Sequence, residues 1–216
     1  MHKAIVLFVA FVFGWPTSTV FSQEVATEKT RAVASAALLT LRELARQQKN
    51  YRELGFESLD EMGKIAVGEP YQVFMVRLDE LSTYKEGQDP NGLLHERKQF
   101  LFPVVIGDQV RSSITVASTP KGWEATSFGS PNRMKLLSKA RALSIEMTKL
   151  APAAYFVVEV PGLKLVFVGH RAGGVLMLTP VLDDAAFKFQ AGVAMAADTV
   201  FTRIRVAAKS HMDLPG

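Results

Sequence analysis

The 216-residue chain contains no cysteine. That absence excludes thiol nucleophiles, disulfide frameworks, cysteine-ligated zinc, iron–sulfur clusters and attachment through a lipidated cysteine. Histidine is scarce too, with four residues: His2 at the N-terminus, His211 in the tail, and His95 and His170 far apart in sequence. No HxH or HExxH pair offers ready metal geometry, so no metal is expected. A GxSxG nucleophile elbow is missing, and no catalytic set or cofactor motif is marked elsewhere. A strong excess of one charge is lacking as well, the formal net charge being +4 at pH 7. Its basic residues are scattered over several segments, unlike the patch or stripe of a nucleic-acid binder.

Only one long apolar run stands out, Ala4 to Trp15, preceded by Lys3 and followed by a polar stretch with Pro16. It is shorter than the roughly 20 residues that span a bilayer. This is the anatomy of a secretory leader, with small residues Val20 and Ser22 placing a cut between Ser22 and Gln23. The reading gives a leader over 1–22, an α+β domain over 23–216, and a periplasmic or secreted location. Without disulfides, a mature chain of about 194 residues must rest on its own hydrophobic core.

What is present is periodicity. Val33, Ala37, Leu41 and Leu44 form a stripe that predicts an amphipathic helix over 24–49, and Leu59, Met62 and Ile65 predict a shorter one over 57–68. "YQVFMVRL" at 71–78 reads as a strand, and the polar, Gly- and Pro-punctuated stretch to residue 98 as a long loop. Two strands joined at Gly107-Asp108 follow, then a turn at 119–122 and a returning strand that starts at Trp123. Ser130 before Pro131 predicts a capped helix that buries Leu136, Leu137, Ala140, Leu143 and Met147.

The second half contributes "YFVVEV", "LKLVFV" and "VLMLTPV". A two-residue Pro161-Gly162 turn would set Glu159 against Lys164 as a cross-strand pair. In "FVGHRAGGVLML" the glycines precede a strand, so they read as hairpin residues and not as a phosphate cradle. After Asp183-Asp184 a long amphipathic helix is expected over 185–210, with Phe189, Val193, Ala197, Val200 and Ile204 on its apolar face. Such a stripe suits packing on a sheet better than lying on a membrane.

The expected architecture is α+β, with antiparallel meanders and packed helices in the order α-α-β(several)-α-β-β-β-α. Its topology divides loosely into two helix-plus-meander units, 24–129 and 130–210. The candidate binding residues are His170 and Arg171 at a hairpin tip, His95 in the loop, and the aromatic Trp123. Together with the leader and the missing catalytic set, they suggest an exported, non-enzymatic module that binds a protein partner. Two alternatives stand beside it: a small-molecule or lipid carrier enclosed between the C-terminal helix and the second sheet, and a hydrolase assembled from dispersed residues.

Overall fold

The computed structural model describes residues 18–47 and 50–212. Most of the expected leader, residues 1–17, lies outside them, and the expected cut after Ser22 falls in the first turns of helix α1 (Ser18–Gln47). The chain continues through a 3-10 turn (Leu59–Gly63), strands β1 (Ala66–Val67) and β2 (Tyr71–Met75), and helix α2 (Leu78–Ser82). A 3-10 turn (Pro90–Leu93) leads to β3 (His95–Ile106), β4 (Gln109–Thr119) and β5 (Gly122–Phe128). Helix α3 (Pro131–Thr148) then precedes β6 (Phe156–Val160), β7 (Leu165–Ala172), β8 (Val175–Pro180), β9 (Met195–Ala196) and helix α4 (Ala197–Met212).

Among the described residues all nine strands join one sheet, in the order β5-β4-β3-β2-β6-β7-β8-β9 with β1 paired to β3. Every pairing is antiparallel except β2–β6, where Val73 lies beside Val157 in parallel. Two meanders thus run outward from one parallel seam, and the fold is α+β as expected.

Alternation along the strands sorts the apolar residues between two faces. On the first face, Phe100, Phe102, Val104, Ile114 and Val116 receive the stripe of α1 formed by Ala34, Ala37, Leu38 and Leu41. The register places Phe156, Val158, Phe167, Leu176 and Leu178 on that same face, under α4 and α2. The opposite face presents Tyr71, Val73, Leu101, Val157 and Val168 to Met134, Leu137 and Ala140 of α3. Fully burying each of the larger side chains contributes about 1.5–3 kcal/mol.

Several expectations are corrected. Residues 57–68 do not form an α-helix: Gly63 ends a single 3-10 turn, and β1 then pairs with Val104 and Val105. The strand at 71–78 stops at Met75, because Leu78 opens α2. The long loop is an ordered segment pinned to α4, with Tyr84 and Leu93 buried. Tyr84 Oη and the Gly87 amide both donate to Asp198 Oδ1, at 2.8 and 3.0 Å, and Arg205 Nη1 donates to the Tyr84 carbonyl.

Ser130 sits in the left-handed region at φ 58 and makes no side-chain cap. The buried stripe of α3 is Met134, Leu137, Ala140, Arg141 and Ser144, leaving Leu143 and Met147 exposed. That rotation follows Arg141, whose Nη1 donates to the Glu69 and Pro70 carbonyls while its guanidinium lies 3.9 Å from the Tyr71 ring centroid. Glu159 does not face Lys164. The connection after β6 holds four residues, with Lys164 at φ 56, so Val160 pairs with Leu165 and Glu159 with Val166.

The C-terminal helix starts at Ala197, twelve residues later than expected. Asp183 Oδ1 accepts from the Ala191 amide and Asp184 Oδ1 from the Phe187 amide, closing local turns instead of starting a helix. Gly192 at φ +79 then redirects the chain into β9. Phe189, Ala197, Val200 and Ile204 are buried as expected, whereas Val193 is exposed.

Candidate functional site

On the first sheet face, a groove of about 460 Å³ opens over β2, β3 and β6, bordered by Thr27 of α1 and by the 153–155 segment before β6. Its floor is set by register: Gln72 opposes Phe100, and Phe74 opposes Glu96. The Phe74 and Phe156 rings meet edge to face with centroids 5.2 Å apart. Gly169 makes this floor possible, because a Cβ there would lie 2.4 Å from the Phe156 ring.

Polar groups of both signs border the aromatic floor. Arg171 lines the groove at β7, its guanidinium 5.1 Å from the Phe156 centroid and its Nε donating to Asn91 Oδ1 at 3.3 Å. Among the described residues no carboxylate forms an ion pair with Arg171. Across the floor, Gln72 Nε2 donates to Glu96 Oε1 at 2.9 Å. Glu69 closes one end, held by Arg31 of α1 at 2.7 Å. Arg141 grips the carbonyls of Glu69 and Pro70 from beneath the sheet, so this end wall is fixed from both faces.

The four sequence candidates separate. Arg171 belongs to the groove. His170 does not sit at an exposed tip: it is 2 % exposed, on the opposite face from Arg171, with its ring 5.3 Å from that of Tyr155. The turn is Gly173-Gly174 alone, both at positive φ, which leaves His170 paired with Met177 inside the sheet. Burial pushes its imidazole below the ordinary histidine value, and among the described residues its Nδ1 has no hydrogen-bond partner.

His95 opens β3 on the surface and meets Glu80 of α2, Nε2 to Oε2, at 2.5 Å. Register puts His95 level with Val166, three strands across the sheet and four residues along β7 from His170, so the two histidines do not converge. Trp123 is half-buried and packs edge to face on Phe100, 5.6 Å between centroids. It supports the floor without lining the groove.

Phe74, Glu96, Phe156 and Gln72 carried no sequence motif. Strand alternation alone would have placed Gln72 with Phe74, but not in a groove shared with Phe156 and Arg171. Among the described residues the groove lining contains no histidine, serine or lysine, whereas its amide, carboxylates and guanidinium suit hydrogen bonding. Between α4 and the second meander, where an enclosed ligand was considered, Phe167, Leu176, Phe189, Phe201 and Ile204 fill the space. Among the described residues no group of three or more metal-ligating side chains occurs, and no helix is long and apolar enough to cross a membrane.

A single mixed sheet with helices on both faces and an open groove therefore defines the class, a cysteine-free α+β protein. No protein-family model, curated protein or solved structure matches the chain.

Proposed function

We propose that this protein is an exported, non-enzymatic binding module whose groove receives an extended segment of a partner protein. The observation that carries the reading is the lining itself: Phe74 and Phe156 on the floor, Arg171 on one side, and Glu96 with Gln72 on the other. Aromatic floors bury apolar side chains, while amides and carboxylates hydrogen-bond a peptide backbone at fixed register. Arg171 supplies a planar, bidentate donor for an acidic side chain or a terminal carboxylate. The N-terminal leader pattern supports export.

A photoreactive residue replacing Gln72, in cells expressing the full chain, tests this directly. Capture of a defined protein is expected, with an at least fivefold drop on adding Arg171→Glu. Equal capture in both would remove Arg171 from the site, and no capture would overturn the protein-binding reading. Cell fractionation with N-terminal sequencing tests export, the expected mature terminus being Gln23.

A further inference from the structure

The other sheet face carries a second cavity, of about 280 Å³, over β3, β4 and β5 beside the start of α3. Two breaks in strand alternation shape it. Opposite Val73, β3 carries three residues, Arg97, Lys98 and Gln99, with Lys98 in the left-handed region at φ 48. In β5, Thr126 is the extra residue between the Ala125–Val116 and Ser127–Thr115 pairs. As a result Thr126 and Ser127, adjacent in sequence, both line the cavity, as Gln99 does. Bulges that re-aim side chains in this way gather beside binding sites.

At the cavity's margin Glu159 is 13 % exposed and held by two arginines. Arg97 Nη1 lies 3.2 Å from its Oε2, and Arg133 Nη2 bonds its Oε1. Among the described residues Glu159 is the one acidic residue of the lining; Arg133 lines the cavity with it and Arg97 reaches it from the margin, so two guanidiniums share one carboxylate and one positive charge is left over. Each guanidinium has five N–H donors, of which Glu159 takes few. The remaining lining is rich in hydroxyls, from Thr115, Thr126, Ser127 and Ser130.

We infer that this cavity binds a tetrahedral oxyanion, either free phosphate or the phosphate group of a small ester. The spare N–H groups of Arg97 and Arg133 would donate to its oxygens, with the hydroxyls of Thr126 and Ser127 completing the shell. Glu159 keeps both guanidiniums aligned and limits the site to one net positive charge. This site is independent of the groove, which lies on the other face.

Titration with inorganic phosphate, glucose 6-phosphate and glucose, followed by backbone amide shifts of the wild-type chain at low salt, tests the inference. Saturable shifts are expected at residues 97–99, 126–130 and 133 with the two phosphates and not with glucose. Tighter binding of the ester identifies an ester site, and equal or weaker binding identifies a free-phosphate site. Arg97→Gln and Arg133→Gln, both at half-exposed positions, should each weaken phosphate at least about tenfold. Glu159→Gln, with thermal unfolding confirming the fold, should tighten it severalfold by removing the competing carboxylate. A merely structural Arg–Glu–Arg cluster predicts neither phosphate shifts nor opposite signs for these variants. Absent shifts, shifts confined to other segments, or unchanged affinity in the arginine variants would overturn the site.

Discussion

His170 shows how one residue's position decides its chemistry. Its ring is buried between Tyr155 and the α3 side of the sheet, and burial holds its pKa below the ordinary 6.5. The folded chain therefore keeps the ring neutral where the unfolded chain takes up a proton. As pH falls through about 6.5, stability declines, with a slope of at most about 1.4 kcal/mol per pH unit, until the lower folded value is passed. His170→Leu should remove this contribution. Urea midpoints at pH 7.5 and 5.5 should differ more in the wild type than in the variant, and parallel profiles would refute the assignment. The hairpin itself was legible from the paired glycines. The burial of His170 was not, because it depends on Tyr155 and α3 closing over that face, and these are contacts distant in sequence. One available signal was the two-residue turn, which makes Ala172 the last paired position and puts His170 on the same face as Val168.

Among the elements, α4 illustrates the limit of periodicity. Its apolar positions Ala197, Val200 and Ile204 were correctly placed by their 3.6-residue repeat. Its start was not, because Asp183 and Asp184 satisfy backbone amides in turns, a role that helix-start acids share. The same helix anchors the polar 83–94 segment through one carboxylate oxygen of Asp198, which takes two donors, and through Arg205, which donates to the Tyr84 carbonyl. Burial, together with the bond to Asp198, pushes the Tyr84 hydroxyl pKa well above its ordinary value of 10. Asp198→Ala should cost about 1–2 kcal/mol and leave the buried Tyr84 hydroxyl with the Gln88 carbonyl as its remaining partner. Faster hydrogen exchange at Gly87, with exchange in β7 unchanged, is the expected signature. Unchanged protection at Gly87 would mean that Leu93 and Tyr84 packing and the Arg205 bond hold the segment without Asp198.

Across the whole molecule, the antiparallel meanders were readable from strand length and turn chemistry, whereas the parallel β2–β6 seam was not. No local pattern records which two strands meet when 82 residues separate Met75 from Val157. The candidate groove was illegible for the same reason: its floor takes Gln72 and Phe74 from one meander and Phe156 and Arg171 from the other. One hydrophobic cluster likewise combines Tyr71, Val73 and Leu101 with Val157 and Val168. Thermal unfolding should accordingly be one cooperative transition, with coincident midpoints for far-ultraviolet circular dichroism and tryptophan emission. Separated midpoints would show two independently stable halves.

The seam also sets a hazard during folding. A parallel contact between distant strands forms late, after its loop-closure entropy has been met. Until then β2 and β6 each offer an open backbone edge, and each finds in a neighbouring chain the same partner it awaits in its own. At high concentration the two meanders can trade partners, giving a domain-swapped dimer in which the contacts between meanders are kept but cross between molecules.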